Sequence, residues 1–280
     1  MRRTIPSLIM SVVLSVGFIP MATAADYTLK DPRGDDKGPG NYLYPTDAVY
    51  VPGGFDITEV SIKDKGKNLE FKVEVATRIE DPWDSKSWNG NGFSIQFPQL
   101  YLDLDHKAGS GETKGLPGTN VLFAPESAWD KVVLISPQPR GRVQSEIDTK
   151  AASMKDKIVI PTVTRVQGNA LIVQVAKSDL GGELKPGFGI QVLMQSNEGF
   201  PDPADLLSRK VNEFNGQHRF GGGSDYDCDP HVLDLLSGQA KGEASEKEGQ
   251  FEALKKYTCD EDQARWVQAV VPMIYPEAAK

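Results

Sequence analysis

The chain has 280 residues, of which 25% are charged and 39% hydrophobic, with a net charge of −8. That acidic balance argues against nucleic acid or anionic lipid as a partner, and the length fits one large domain or two small ones. In chain order, Arg2 and Arg3 come first, then the apolar stretch "SLIMSVVLSVGFI", then Ala22-Thr23-Ala24. A basic start, a short apolar core and a small-x-small end predict a secretory signal peptide over residues 1–24, cut before Ala25. Removing its two arginines from the 31 bases leaves 29 against 39 acids, a net of −10. No later stretch is long and apolar enough to span a bilayer. Residues 25–280 are expected as a single secreted or periplasmic domain.

The mature chain opens on "DPRGDDKGPG", where Asp31, Asp35 and Asp36 crowd a segment rich in glycine and proline. Ca²⁺ takes six to eight oxygens, carboxylate and carbonyl, and a loop bent by glycine can supply them. Two readings stand: a calcium loop, or a metal-free turn whose aspartates accept backbone N–H groups. Tyr42 and Tyr44 follow, on one face if the chain is extended there, and packing against the body is their expected role.

Alternation of apolar and polar residues then predicts strands in "DITEVSIKD", "NLEFKVEVATRI" and "FSIQFPQLYLDLD". The series continues in "KVVLISP", "DKIVIPTVTRV", "ALIVQVAK" and "GFGIQVLMQS", and "ARWVQAVVPMIY" closes it. "VTRVQGNALIVQVA" reads as a hairpin turning at Gln167-Gly168-Asn169. Eight or so strands without intervening crossover helices predict an all-β antiparallel sandwich. Helices are expected near the C-terminus, in "DPADLLSRKVNEF", "DPHVLDLLSG" and "SEKEGQFEALKKY".

Between the strands lie the candidates for chemistry. Trp83, Trp88 and Asn89 fall in "EDPWDSKSWNGNGF", and Trp129 falls in "PESAWDK", all polar settings in which an indole is hard to bury. Exposed rings can stack on the apolar faces of sugars while amides and carboxylates bond the hydroxyls. Asp103 and Asp105 share one face at a strand end, with Tyr101 beside them. The pair suits calcium, loop hydrogen bonds or, at the right separation, glycoside hydrolysis. Asp225, Asp227 and Asp229 give a D-x-D-x-D run, but Pro230 stands where an EF-hand loop needs glycine. Asp229 is expected to cap a helix starting at Pro230, with His231 as a hydrogen-bonding neighbour. Trp266 is expected in the core. Two cysteines in an exported chain, Cys228 and Cys259, predict one disulfide.

The opening stretch continues as "DPRGDDKGPGNYLYPTDAVYVPGGFDITEVSI", and this string resembles the start of the glucodextranase C-terminal domain family. The resemblance extends through "DPWDSKSWNGNGFSIQFPQLYLDLD", "LPGTNVLFAPESAWDKVVLIS", "GFGIQVLMQSNEGF", "DPHVLDLL" and "AVVPMIY". Trp83 matches the family's Pro-Trp position. The resemblance implies a DOMON-like β-sandwich related to family 9 carbohydrate-binding modules. It implies a non-catalytic carbohydrate-binding module for an α-glucan or a surface glycan, with an enzyme or the cell envelope as a possible partner. Two further readings follow from it. One is a haem-binding electron-transfer subunit, for which Met194 is the candidate ligand against an ordinary place in the core. The other is an envelope-anchoring module with a protein partner.

Overall fold

The computed structural model describes residues 26–277, so the signal peptide expected over residues 1–24 lies outside the described residues. The strands are β1 (Tyr27–Lys30), β2 (Ile57–Lys65), β3 (Asn68–Val75), β4 (Gln96–Asp103), β5 (Val121–Phe123) and β6 (Lys131–Leu134). They continue as β7 (Ile158–Val159), β8 (Val163–Gln167), β9 (Ala170–Ala176), β10 (Gly189–Ser196), β11 (Asp234–Leu235) and β12 (Ala269–Val271). Two α-helices interrupt them, α1 (Arg140–Lys150) and α2 (Ala244–Leu254). No helix among the described residues is long and apolar enough to cross a membrane.

Ten strands form two five-stranded sheets, ordered β1-β2-β3-β9-β8 and β11-β10-β4-β6-β7. Their residue patterns explain how they stack. In β3 every second residue is buried, the mark of a sheet with one wet face. In β4 and β10 all eight residues are buried, so the second sheet is covered on both faces. Val60, Phe71 and Val173 of the first sheet share one apolar core with Leu100, Ile190 and Met194 of the second. Met194 thus occupies the packed interior between the sheets, the ordinary place in the core weighed for it above. The far face of the second sheet carries its own core, where Phe97, Tyr101 and Leu193 meet Val143 and Ile147 of α1 and Leu254 of α2.

The two parallel pairs depart from the antiparallel expectation. β7 runs parallel to β6, with α1 in the connection a parallel pair requires. β12 lies parallel to β5 as a separate two-stranded ribbon. The β8–β9 hairpin is as expected, with Gln167 facing Ala170 across the turn and Gly168 at φ 64°.

The helices differ more. Residues 245–254 of "SEKEGQFEALKKY" do fall in α2, which is closed at its start by a reciprocal bond pair between Glu243 and Glu246. "DPADLLSRKVNEF" is not helical. Leu206 and Leu207 are both buried, Leu207 sits at φ 56°, and Leu206 N donates to Pro117 O. Adjacent buried leucines suit a pinned loop, since a helix would splay them. "DPHVLDLLSG" gives β11 in place of a helix, pairing with β10 at Leu193–Leu235. Asp229 therefore caps no helix; it accepts from Ser224 N and Tyr42 Oη. Helix α1 was not expected. Glu146 bonds Arg142 and Lys150, one turn before and one turn after it, at 2.7 and 2.8 Å.

Cys228 and Cys259 are bonded, joining the loop before β11 to the approach to β12. Trp266 is half-buried rather than core, and its Nε1 donates to Asp260 O.

Candidate functional site

Two sites emerge from these loops: an aromatic groove and a buried acidic cluster. The groove begins at Asp81. Its carboxylate accepts from Ser85 N, Ser85 Oγ and Ser94 Oγ, and so draws the polar loop into a tight turn. A 3-10 turn over Ser85–Trp88 results, flanked by left-handed residues Asp84 and Asn89. Trp88 Nε1 donates to Trp83 O at 3.2 Å, which holds the two indoles on one side of the loop. Trp83 is braced from behind by edge-on contacts with Tyr50 and His218, at 6.2 and 6.1 Å between centroids.

Across from the indoles runs the segment after β10. Trp83, Trp88, Pro139, Asn197, Phe200 and Arg209 line a groove of about 520 Å³. Phe200 is 94% exposed, an extreme value for a ring of that size. The polar members are fixed. Arg209 pairs with Glu198 at 2.8 Å and donates to His218 O and Asn197 O. The groove thus joins flat apolar surfaces to oriented polar groups, the composition of small-molecule and sugar sites.

The structure brings Trp83 and Trp88 together, as their shared loop suggested. Asn89 ends the turn at φ 62° and lies outside the groove lining. Trp129 is a correction. Its indole is fully buried, edge-on to Tyr101 at 5.3 Å, with Nε1 donating to Lys114 O at 2.9 Å. The polar residues around it in sequence face outward while the ring drops into the core over the second sheet, so it can touch no ligand. Phe200, Asn197, Glu198 and Arg209 were not anticipated. The signal for Phe200 was a lone aromatic between glycine and proline in a loop, which is weak on its own.

The acidic opening segment, residues 31–40, forms a hook that is folded in. Lys30 N donates to Ala240 O, Gly38 N to Leu233 O and Gln250 Nε2 to Asp35 O, so β11 and α2 hold it against the body. Gly38 lies at φ 55°, where a side chain would collide with the Tyr42 ring and Val232 O. Asp31, Asp35 and Asp234 converge, each buried, with Asp56 beside them. Asp36 does not join this group: it accepts the hydroxyl of Tyr44 on another side of the hook. Asp234 and Asp56 were not foreseen as members.

Burial first, then the charges of Asp35 and Asp56, push the Asp31 carboxyl up to about 9. Burial and Asp56 push Asp35 up to about 7, and burial pushes Asp56 up to about 6. All three stand above the ordinary value of 3.8, so the metal-free native state binds protons that the unfolded chain has released. Their stabilisation is complete at acidic pH and is lost as pH rises through the folded-state values. In chelator, the melting temperature is expected to fall between about pH 5 and pH 8. A melting temperature that climbs over that range would contradict the arrangement.

The second carboxylate group, Asp103 with Asp105 and the unforeseen Asp130, is built differently. Asp103 accepts from His106 N and Tyr275 Oη, each at 2.7 Å. Asp105, exposed, accepts from Lys107 N and Ser110 Oγ, and Asp130 accepts from Leu104 N. These bonds account for the aspartates as braces of the loop after β4.

A family model described as the C-terminal binding-module, SLH-like, of glucodextranase matches residues 27–271. A search of curated proteins gave no match.

Proposed function

The chain belongs to the glucodextranase C-terminal binding-module family, and from that membership we propose that it is an exported, non-catalytic module that holds a glycan chain in the Trp83–Trp88–Phe200 groove. The ligand class is an α-glucan or a cell-surface polysaccharide. The observation that carries the reading is the groove itself: two indoles and a nearly bare phenyl ring facing one space, with Asn197, Glu198 and Arg209 at its side. Sugar rings offer apolar C–H faces to such aromatics and hydroxyls to such polar groups. Phe200 also lines a second, adjoining hollow of about 270 Å³ with Asp202, Lys210 and His218. It therefore stands as a ridge between two hollows, which favours a ligand of several linked rings over a single sugar.

The test is a titration of the full chain with malto- and isomalto-oligosaccharides and with purified envelope polysaccharide, followed by calorimetry and tryptophan fluorescence. Trp88→Ala and Phe200→Ala are each expected to weaken binding by about tenfold or more, the equivalent of about 1.4 kcal/mol or more, with the melting temperature kept. Silence across all three glycan classes, or full affinity in both variants, would overturn the reading. The alternative reading is docking to an envelope protein. Retention on envelope fractions stripped of polysaccharide would mark that case.

A further inference from the structure

Four aspartates from three distant parts of the chain close on one point beneath the hook. Asp31 directly follows β1, Asp35 lies within the hook, Asp56 leads into β2 and Asp234 begins β11. Ligand oxygens of Asp31, Asp35 and Asp234 all lie within 4.8 Å of one another. The four residues are between 0 and 5% exposed. Both oxygens of Asp31, Oδ1 of Asp35 and Oδ1 of Asp56 have no hydrogen-bond partner among the described residues. Asp56 and Asp234 are, by contrast, held by backbone donors. Asp56 Oδ2 accepts from Gly34 N at 2.7 Å, and Asp234 accepts from Ile57 N at 2.6 Å and Leu235 N at 2.9 Å. The nearby cation, Lys247, gives its ammonium to Arg33 O.

Backbone donors thus orient Asp56 and Asp234, while both oxygens of Asp31 and one each of Asp35 and Asp56 are left bare. A buried carboxylate without a partner is costly, and a convergent set multiplies the cost by mutual repulsion. Asp103, Asp105 and Asp130 show the alternative, since each accepts a bond from the loop it braces.

We propose that Asp31, Asp35 and Asp234 bind one Ca²⁺ ion, with Asp56 adding its charge alongside, and that the ion rivets the N-terminal hook to both sheets at once. Asp31 and Asp56 belong to the ends of strands in the first sheet, and Asp234 belongs to the second. The donor set is all oxygen and offers no nitrogen or sulfur, which disfavours zinc. Ca²⁺ accepts irregular carboxylate geometry, whereas Mg²⁺ demands a near-ideal octahedron and retains its water.

The experiment uses the full chain stripped with EDTA, then titrated with CaCl₂ or MgCl₂ at neutral pH, with no sugar present, so that its outcome is independent of the glycan reading. Calorimetry and native mass spectrometry are expected to give one Ca²⁺ per chain. The melting temperature is expected to rise by about 5 °C or more in excess Ca²⁺. Asp31→Asn replaces a buried carboxyl that has no hydrogen-bond partner with a neutral amide of the same size, so in EDTA it is expected to melt near the wild-type temperature and to gain nothing from Ca²⁺. Asp105→Asn is expected to respond as the wild type does. No binding and no shift in the wild type at about 5 mM Ca²⁺, above the weakest extracellular sites, would overturn the proposal. So would a calcium response that survives in Asp31→Asn. Should that variant fail to fold, the wild-type stoichiometry with and without EDTA decides.

Discussion

Replacing Trp129 with alanine is expected to lower the unfolding free energy by about 3–5 kcal/mol and to leave glycan affinity in the folded protein untouched. The indole is fully buried in the core over the outer face of the second sheet, where it leans on Tyr101 and donates to Lys114 O. Truncation opens a large cavity there and removes the hydrogen bond to Lys114 O. Urea unfolding measures the first effect and a glycan titration the second. The contrast with Trp88→Ala makes the test sharp, because two tryptophans in similar polar sequence settings are assigned opposite roles. A loss below about 1 kcal/mol accompanied by weakened binding would reverse the assignment.

The second large effect is expected from Cys228→Ser/Cys259→Ser. The bond spans 31 positions, and the entropy of closing such a loop corresponds to about 3–4 kcal/mol. Local packing gives the loss a direction. The Cys228 segment carries Asp227, which bonds the buried His231 at 2.7 Å and Lys210 at 2.7 Å. His231 Nδ1 in turn accepts from Val211 N, tying the segment to the loop after β10. Freed from the disulfide, this network is expected to loosen before the sheets do. Hydrogen exchange should show deprotection around Val211 and His231 first. Equal unfolding curves for the wild type and the double serine variant would contradict the assignment.

The strands were legible because they follow a period of two that local residues alone can express. "NLEFKVEV" alternates so strictly that its wet and dry faces can be read from the letters. Helix α1 was not legible. It buries little more than Val143 and Ile147, and its stability comes from the ion pairs around Glu146 and from the sheet it covers. The segment around Leu206 misled in the opposite way, since helix-like spacing hid a loop held by backbone bonds to Pro117 and Ser196.

The sites divide along the same line. Trp83 and Trp88 share one loop, so their neighbourhood was visible in the sequence. Phe200 reaches them from more than a hundred residues away, and nothing local announces the meeting. In the acidic cluster, Asp31 and Asp35 stand out by composition. Asp234 looks like any aspartate in an apolar stretch until β11 places it under the hook. Asp36 was misread because a neighbour in sequence need not be a neighbour in direction, and its carboxylate turns to Tyr44 instead.

The hook's partners also set an order of events for the chain as it folds. Gln250 binds Asp35 across 215 positions, and Gly38 waits for Leu233. The opening residues therefore cannot reach their final place until nearly the whole polypeptide is available, and a contact map this non-local belongs to slow folders. Until that late closure, the aspartates of the hook remain in water, where their charges cost little and keep the unfinished chain soluble.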